Sequence, residues 1–116
     1  GDHGDDSSMQ PFWDVLNQNG AEVLLAGHDH NYERQVPRNA AGAADPARGM
    51  RQFVVGTGGK GLRGVSPNAY TQASSNDTFG HLEITLRADA YDWRFVPAGS
   101  PGNGTFTDSG STTCHR

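Results

Sequence analysis

Two histidines one residue apart, His28 and His30, follow the chain's longest apolar run, Val23 to Ala26, in Leu24-Leu25-Ala26-Gly27-His28-Asp29-His30-Asn31-Tyr32-Glu33-Arg34. Neutral imidazole nitrogens suit zinc, iron, manganese or nickel, with bonds of about 2.0–2.1 Å to zinc. On an extended backbone, His-x-His sends both rings to one side, so the pair can serve one metal or two adjacent ones. A buried strand ending at Gly27 puts them just past its carboxyl end, where open α/β sheets build ligand sites. The same spacing also fits a hydrogen-bonding surface pair, and taken alone it does not choose. His3, in Gly1-Asp2-His3, is the other candidate. With an unperturbed pKa of about 6.5 it can donate a proton near neutrality, or it can stand exposed in an acidic loop with Asp2, Asp5 and Asp6.

The elements that must position these groups are few. Ser7 or Ser8 is placed to cap a helix running through Pro11 to about Asn19, with Phe12, Val15 and Leu16 on one face and Gly20 as its stop. Ala21 to Ala26 reads as a strand buried on both faces. Residues 36–49 read as an excursion rich in Ala, Gly and Pro, and Arg51 to Thr57 as a second strand stopped by Gly58 and Gly59. After a long loop, 61–76, comes a hairpin: Thr78 to Leu86, a turn at Arg87-Ala88-Asp89, then Ala90 to Val96. The tail from Pro97 holds at most an edge strand at Thr105 to Thr107. No internal repeat is present. Gly56-Thr57-Gly58-Gly59-Lys60-Gly61 lacks the Walker spacing and has no Ser or Thr after Lys60, so its glycines read as a tight turn at a site rim.

Gly27-His28-Asp29-His30-Asn31-Tyr32-Glu33-Arg34 resembles the Gly-His-x-His-x-Tyr-Glu-Arg motif of the purple acid phosphatases and their bacterial relatives among the calcineurin-like metallophosphoesterases. The likeness extends to the preceding helix, the Gly-Thr-Gly-Gly loop at 56–59 and the hairpin. It covers most of this chain but only the last portion of the family's catalytic domain. It implies that residues 1–116 are a C-terminal fragment of that domain, an α+β fold forming half of a four-layer α/β/β/α sandwich, one helix packed on a mixed sheet with long loops. It further implies that His28 and His30 ligate two adjacent ions (Fe, Zn or Mn) and that His3 contacts phosphate or protonates the leaving group. Two metals about 3.5–4 Å apart can hold a phosphate, activate water near neutral pH and stabilise the leaving oxygen. Tyr32, Glu33 and Arg34 are expected to brace the loop, Glu33 and Arg34 as an ion pair. The family's carboxylate ligands and its colour-giving Tyr come from motifs N-terminal to this segment, so the fragment alone is expected to be inactive. The implied parent is an exported, extracellular hydrolase acting on phosphate mono- or diesters, with the missing N-terminal half of the domain as its structural partner. A non-catalytic extracellular metal-binding or β-rich interaction module is the alternative.

Composition sets the outer bounds. The chain has 116 residues and a formal net charge of −4, and its Lys and Arg are scattered, which leaves no basic face for nucleic acid. No apolar run approaches the roughly 18 residues of a membrane span. Leu, Ile, Val and Phe together number 19, while Gly and Pro number 22, so the core is thin and the loops long. So poor a core is expected to borrow cover from a missing half or by self-association. The one cysteine, Cys114, is either incidental or half of a disulfide completed outside the chain. Asn76 and Asn103 begin Asn-x-Thr tripeptides that decide nothing by themselves.

Overall fold

Asp6, not a serine, starts the first element of this computed structural model, which describes residues 6–115. The Asp6 carboxylate accepts from the Ser8 backbone N–H at 2.9 Å and caps a 3-10 turn, Ser7–Met9, that leads directly into helix α1, Gln10–Gln18. Asp6 was expected to be a solvated charge and Ser7 or Ser8 the cap; Asp6 takes the role because it precedes the turn, whereas both serines lie inside it. Pro11 sits in the first helical turn, where its missing N–H costs nothing. The helix closes with Ala21 N–H on the Leu16 carbonyl and Gly20 at φ +71°, the left-handed residue that such an ending needs.

Seven strands follow: β1 Val23–Ala26, β2 Tyr32–Gln35, β3 Arg51–Val55, β4 Thr71–Ser75, β5 Gly80–Leu86, β6 Ala90–Pro97 and β7 Ser109–Thr113. They form two sheets. The first is mixed, in the order β1-β3-β2-β4, with β1 and β3 parallel and the other pairs antiparallel. The second is antiparallel, in the order β5-β6-β7. The fold is therefore α+β, and among the described residues there is one short α-helix and none long and apolar enough to cross a membrane.

The sheets meet through aromatic rings. Tyr32 and Phe53 from the first pack against Tyr91, Trp93 and Phe95 from the second, with Phe106 and Cys114 closing the edges. Tyr32 lies 4.9 Å from Phe95, and Phe53 meets Trp93 edge-on at 5.8 Å, spacings at which each pair adds about 0.5–1.5 kcal/mol beyond area burial. Large flat side chains thus do the work that the scarce aliphatic residues cannot.

Two expectations fail here. β1 is an edge strand, and Leu25 is 59% exposed, so the apolar run is not buried on both faces. The helix does not turn its apolar stripe to the sheet either: Phe12 and Val15 are 63% and 58% exposed, and Trp13 is half-buried instead. Three strands also arise where loop was expected. β2 falls after the histidines, β4 inside the 61–76 stretch, and β7 four residues beyond Thr105, the start of the anticipated edge strand. Asn103 spends its side chain internally, bonding Phe79 N–H, the Phe79 carbonyl and the Ala98 carbonyl.

Candidate metal-ligand loop

Residues 27–31 connect β1 to β2, and their backbone is far from extended. Asp29 N–H bonds the Gly27 carbonyl at 3.0 Å and Asn31 N–H bonds the Asp29 carbonyl at 2.9 Å, two successive three-residue turns centred on His28 and His30. His28 has φ +73°; among the described residues no other non-glycine has positive φ. A left-handed residue at the centre of such a turn is the rarer, strained form. The alternation argument for placing both rings on one side therefore lapses, because it assumes an extended chain. What remains is closer to a bent hinge that carries one imidazole at each turn.

Two neighbouring segments hold this bend. Gly56 N–H bonds the Asn31 carbonyl at 3.0 Å, and a Cβ on Gly56 would overlap the Asp29 carbonyl oxygen. That close approach explains the first glycine of Gly-Thr-Gly-Gly. From the other side, His30 Nδ1 lies 3.0 Å from the Gly61 carbonyl, Arg63 N–H bonds the His30 carbonyl at 2.8 Å, and Asn31 Nδ2 bonds the Gly64 carbonyl at 3.0 Å. A carbonyl only accepts, so His30 Nδ1 carries the proton and Nε2 is the nitrogen with a lone pair for a metal. His28 is exposed and His30 half-buried. The Asn31 side-chain oxygen is buried with no hydrogen-bond partner among the described residues.

Behind the loop, β2 is fixed by one carboxylate. Asp108 accepts from Tyr32 OH at 2.6 Å, from Arg34 Nε at 2.7 Å and Nη2 at 3.0 Å, and from Trp93 Nε1 at 3.2 Å. Burial alone would push the Asp108 carboxyl up, but the bonds from Arg34, Tyr32 and Trp93 outweigh it and hold the group below the usual aspartate range. Burial, and then the bond to Asp108, pushes the Tyr32 phenol far above its ordinary value. The expected Glu33–Arg34 ion pair is absent, because neighbouring side chains along β2 point to opposite faces. Arg34 goes to Asp108 across the sheets, and Glu33 accepts from Thr71 Oγ1 at 2.6 Å on β4. The wider expectation that Tyr32 and Arg34 brace the loop agrees with these bonds.

His3 lies outside the described residues. His81, given no role from sequence, lies at the rim of two adjoining clefts of about 470 and 420 Å³ that share Gly58, Gly80 and His81 and reach Leu25 and Ala26 beside the loop. Among the described residues no three His, Cys, Asp or Glu side chains gather as a metal group. Two imidazoles, His28 and His30, are of a type that fits zinc, iron or manganese but are too few for a closed coordination sphere. Gly61, Arg63, Gly64 and Asp108 carry no signal in the sequence. The first three act through backbone atoms, and Asp108 lies 76 residues from Tyr32 along the chain.

Compared with known protein families, with curated proteins and with solved structures, the chain gives no match.

Proposed function

We propose that this chain supplies two metal-ligating imidazoles, His28 and His30, to a dinuclear phosphoesterase centre whose carboxylate ligands come from polypeptide N-terminal to it. The observation that carries this reading is the strained turn at His28, φ +73°, held at the carboxyl end of β1 by the Gly56 contact and the 61–64 segment. Strain of this kind costs on the order of 1–3 kcal/mol and persists where the surroundings over-determine it, which is characteristic of functional sites. The eight-residue likeness around it names the chemistry. In the intact sandwich the missing polypeptide would cover Leu25 and the α1 stripe.

Each residue then has a task. His30 offers Nε2, with its ring fixed through Nδ1–H to the Gly61 carbonyl. His28 offers a nitrogen from the adjacent turn. Asp108, through Tyr32 and Arg34, keeps β2 from shifting beneath them. When bound, the ions supply Lewis acidity, drawing charge from the phosphoryl oxygens and acidifying water. His3 is assigned the leaving-group proton. An exported parent and a phosphate mono- or diester substrate belong to the same proposal.

The test uses the intact parent protein and an aryl phosphate. His28→Ala or His30→Ala should lower turnover by roughly 10²–10³ or more, by analogy with loss of one electrostatic stabiliser. Wild-type turnover in either variant, or upstream sequence with no Asp-rich metal motif, would end the proposal. The isolated 116-residue chain should show no turnover.

A further inference from the structure

A third cleft, of about 390 Å³, opens between the start of α1 and the 38–42 segment, lined by Asp6, Ser7, Gln10, Trp13, Asn39 and Gln52 among others. It lies away from the histidine loop: Gln52 pairs with Leu24 near the start of β3, whereas the loop follows the far end of β1. Alternation along β3 turns Arg51 and Phe53 into the aromatic core and Gln52 to the opposite face, towards α1. The helix contributes Trp13, its half-buried aromatic, while Phe12 faces solvent.

The polar groups around this cleft are left over from folding. Among the described residues the Trp13 indole N–H and the Gln52 amide make no hydrogen bond. Gln10 gives its Nε2 to Asp14 and to the Ala40 carbonyl, leaving Oε1 as an acceptor. Asn39 uses Oδ1 on Ala43 N–H, leaving its two amide protons. Arg38 also lines the cleft, but its Nε bonds the Gly42 carbonyl, its Nη1 bonds Gln35, and its guanidinium stacks 4.5 Å over Tyr70. The Arg38 charge therefore meets only neutral acceptors and a ring, and Asp6 at the mouth offsets it, so the cleft lining carries no net charge.

We infer that the cleft binds a neutral saccharide, one or two pyranose rings. A flat indole beside unpaired donors and acceptors suits a ring with an apolar C–H face and hydroxyls that both donate and accept. The volume falls in the range of small-ligand pockets. The inference is independent of the metal proposal.

The experiment follows the Trp13 Nε1–H resonance of the full chain while methyl α-glucopyranoside, methyl α-mannopyranoside or N-acetylglucosamine is added. At least one sugar should give a saturable shift with a Kd on the order of 1–10 mM, as expected for so few ligand atoms. Gln52→Ala should weaken it about tenfold, the loss of one unreplaced hydrogen bond. Trp13→Ala, followed through the Gln52 amide resonance, should abolish it. No saturable shift up to about 100 mM of any sugar, unchanged affinity in Gln52→Ala, or an equal response to inorganic phosphate or adenosine would each overturn the assignment.

Discussion

β1 and β2 flank the same five-residue loop, yet they live in different environments. β2 runs through the aromatic core: Tyr32 is fully buried, and its hydroxyl and the Arg34 guanidinium end on Asp108. β1 is an edge strand with Leu25 open to solvent and the exposed stripe of α1 just before it. One side of the histidine loop is thus packed into the core and the other is exposed. A loop anchored on one rigid strand and one uncovered strand can be held in a strained shape only if the rigid side dominates. The Gly56 contact and the 61–64 clasp both act on residues 29–31, the β2 side of the bend.

The largest break in this asymmetry comes from Asp108→Ala. Arg34 and Asp108 are 13% and 10% exposed, so the change leaves a largely buried guanidinium and a buried phenol without their carboxylate, a loss of about 3 kcal/mol in urea unfolding. A loss under about 1 kcal/mol would mean the core does not hinge on this carboxylate. The same group sets an acid limit. Its folded pKa lies below the unfolded value of about 3.9, so its contribution is present above that pH and is lost as pH falls through the folded value. Asp108→Asn should flatten stability against pH in that window. Tyr32 acts at the other end: with its folded pKa raised, stability falls once pH rises past the unfolded phenol value of about 10.

Gly56→Ala comes next. The added methyl meets the Asp29 backbone, not a yielding side chain, so the loop or β3 must move. Overpacking of this kind costs about 1–3 kcal/mol, and here it should also shift the His28 and His30 imidazole resonances. A stable variant with unchanged imidazole spectra would show that the close approach is not constraining. His28→Gly sharpens the strain argument from the opposite side. Glycine adopts φ +73° freely, so the variant should gain about 1 kcal/mol in unfolding free energy. A destabilised His28→Gly would mean that the imidazole itself holds the turn.

How much of this could be read in advance follows the same division. α1, β1, β3 and the β5–β6 hairpin announce themselves through apolar periodicity, and the Gly27 to Arg34 segment through its residue types. β2, β4 and β7 carry Tyr-Glu-Arg-Gln, Thr-Gln-Ala-Ser-Ser and Ser-Gly-Ser-Thr-Thr, strands buried or paired through polar contacts such as Glu33 with Thr71. Apolar alternation cannot register them. The strained φ at His28 and the clasp from Gly61 are backbone facts, dictated by tertiary closure and silent in residue type.

The smallest effect concerns the exposed side. Leu25 and Phe12 are 59% and 63% exposed, so replacing either with Gln removes little buried surface, and monomer stability should stay within about 0.5 kcal/mol. Their effect should instead appear in assembly. β1 offers the free edge of a mixed sheet beside an uncovered leucine, a combination that recruits another strand or another apolar surface. The wild-type chain is therefore expected to self-associate, and Leu25→Gln with Phe12→Gln should shift sedimentation towards the monomer at equal concentration. Exposed aromatic and aliphatic side chains scattered singly would not do this, so the double variant distinguishes a real face from incidental exposure. A wild-type chain that stays monomeric at high concentration would show that β1 and α1 need no cover, and the contrast with β2 would then reflect the aromatic core alone.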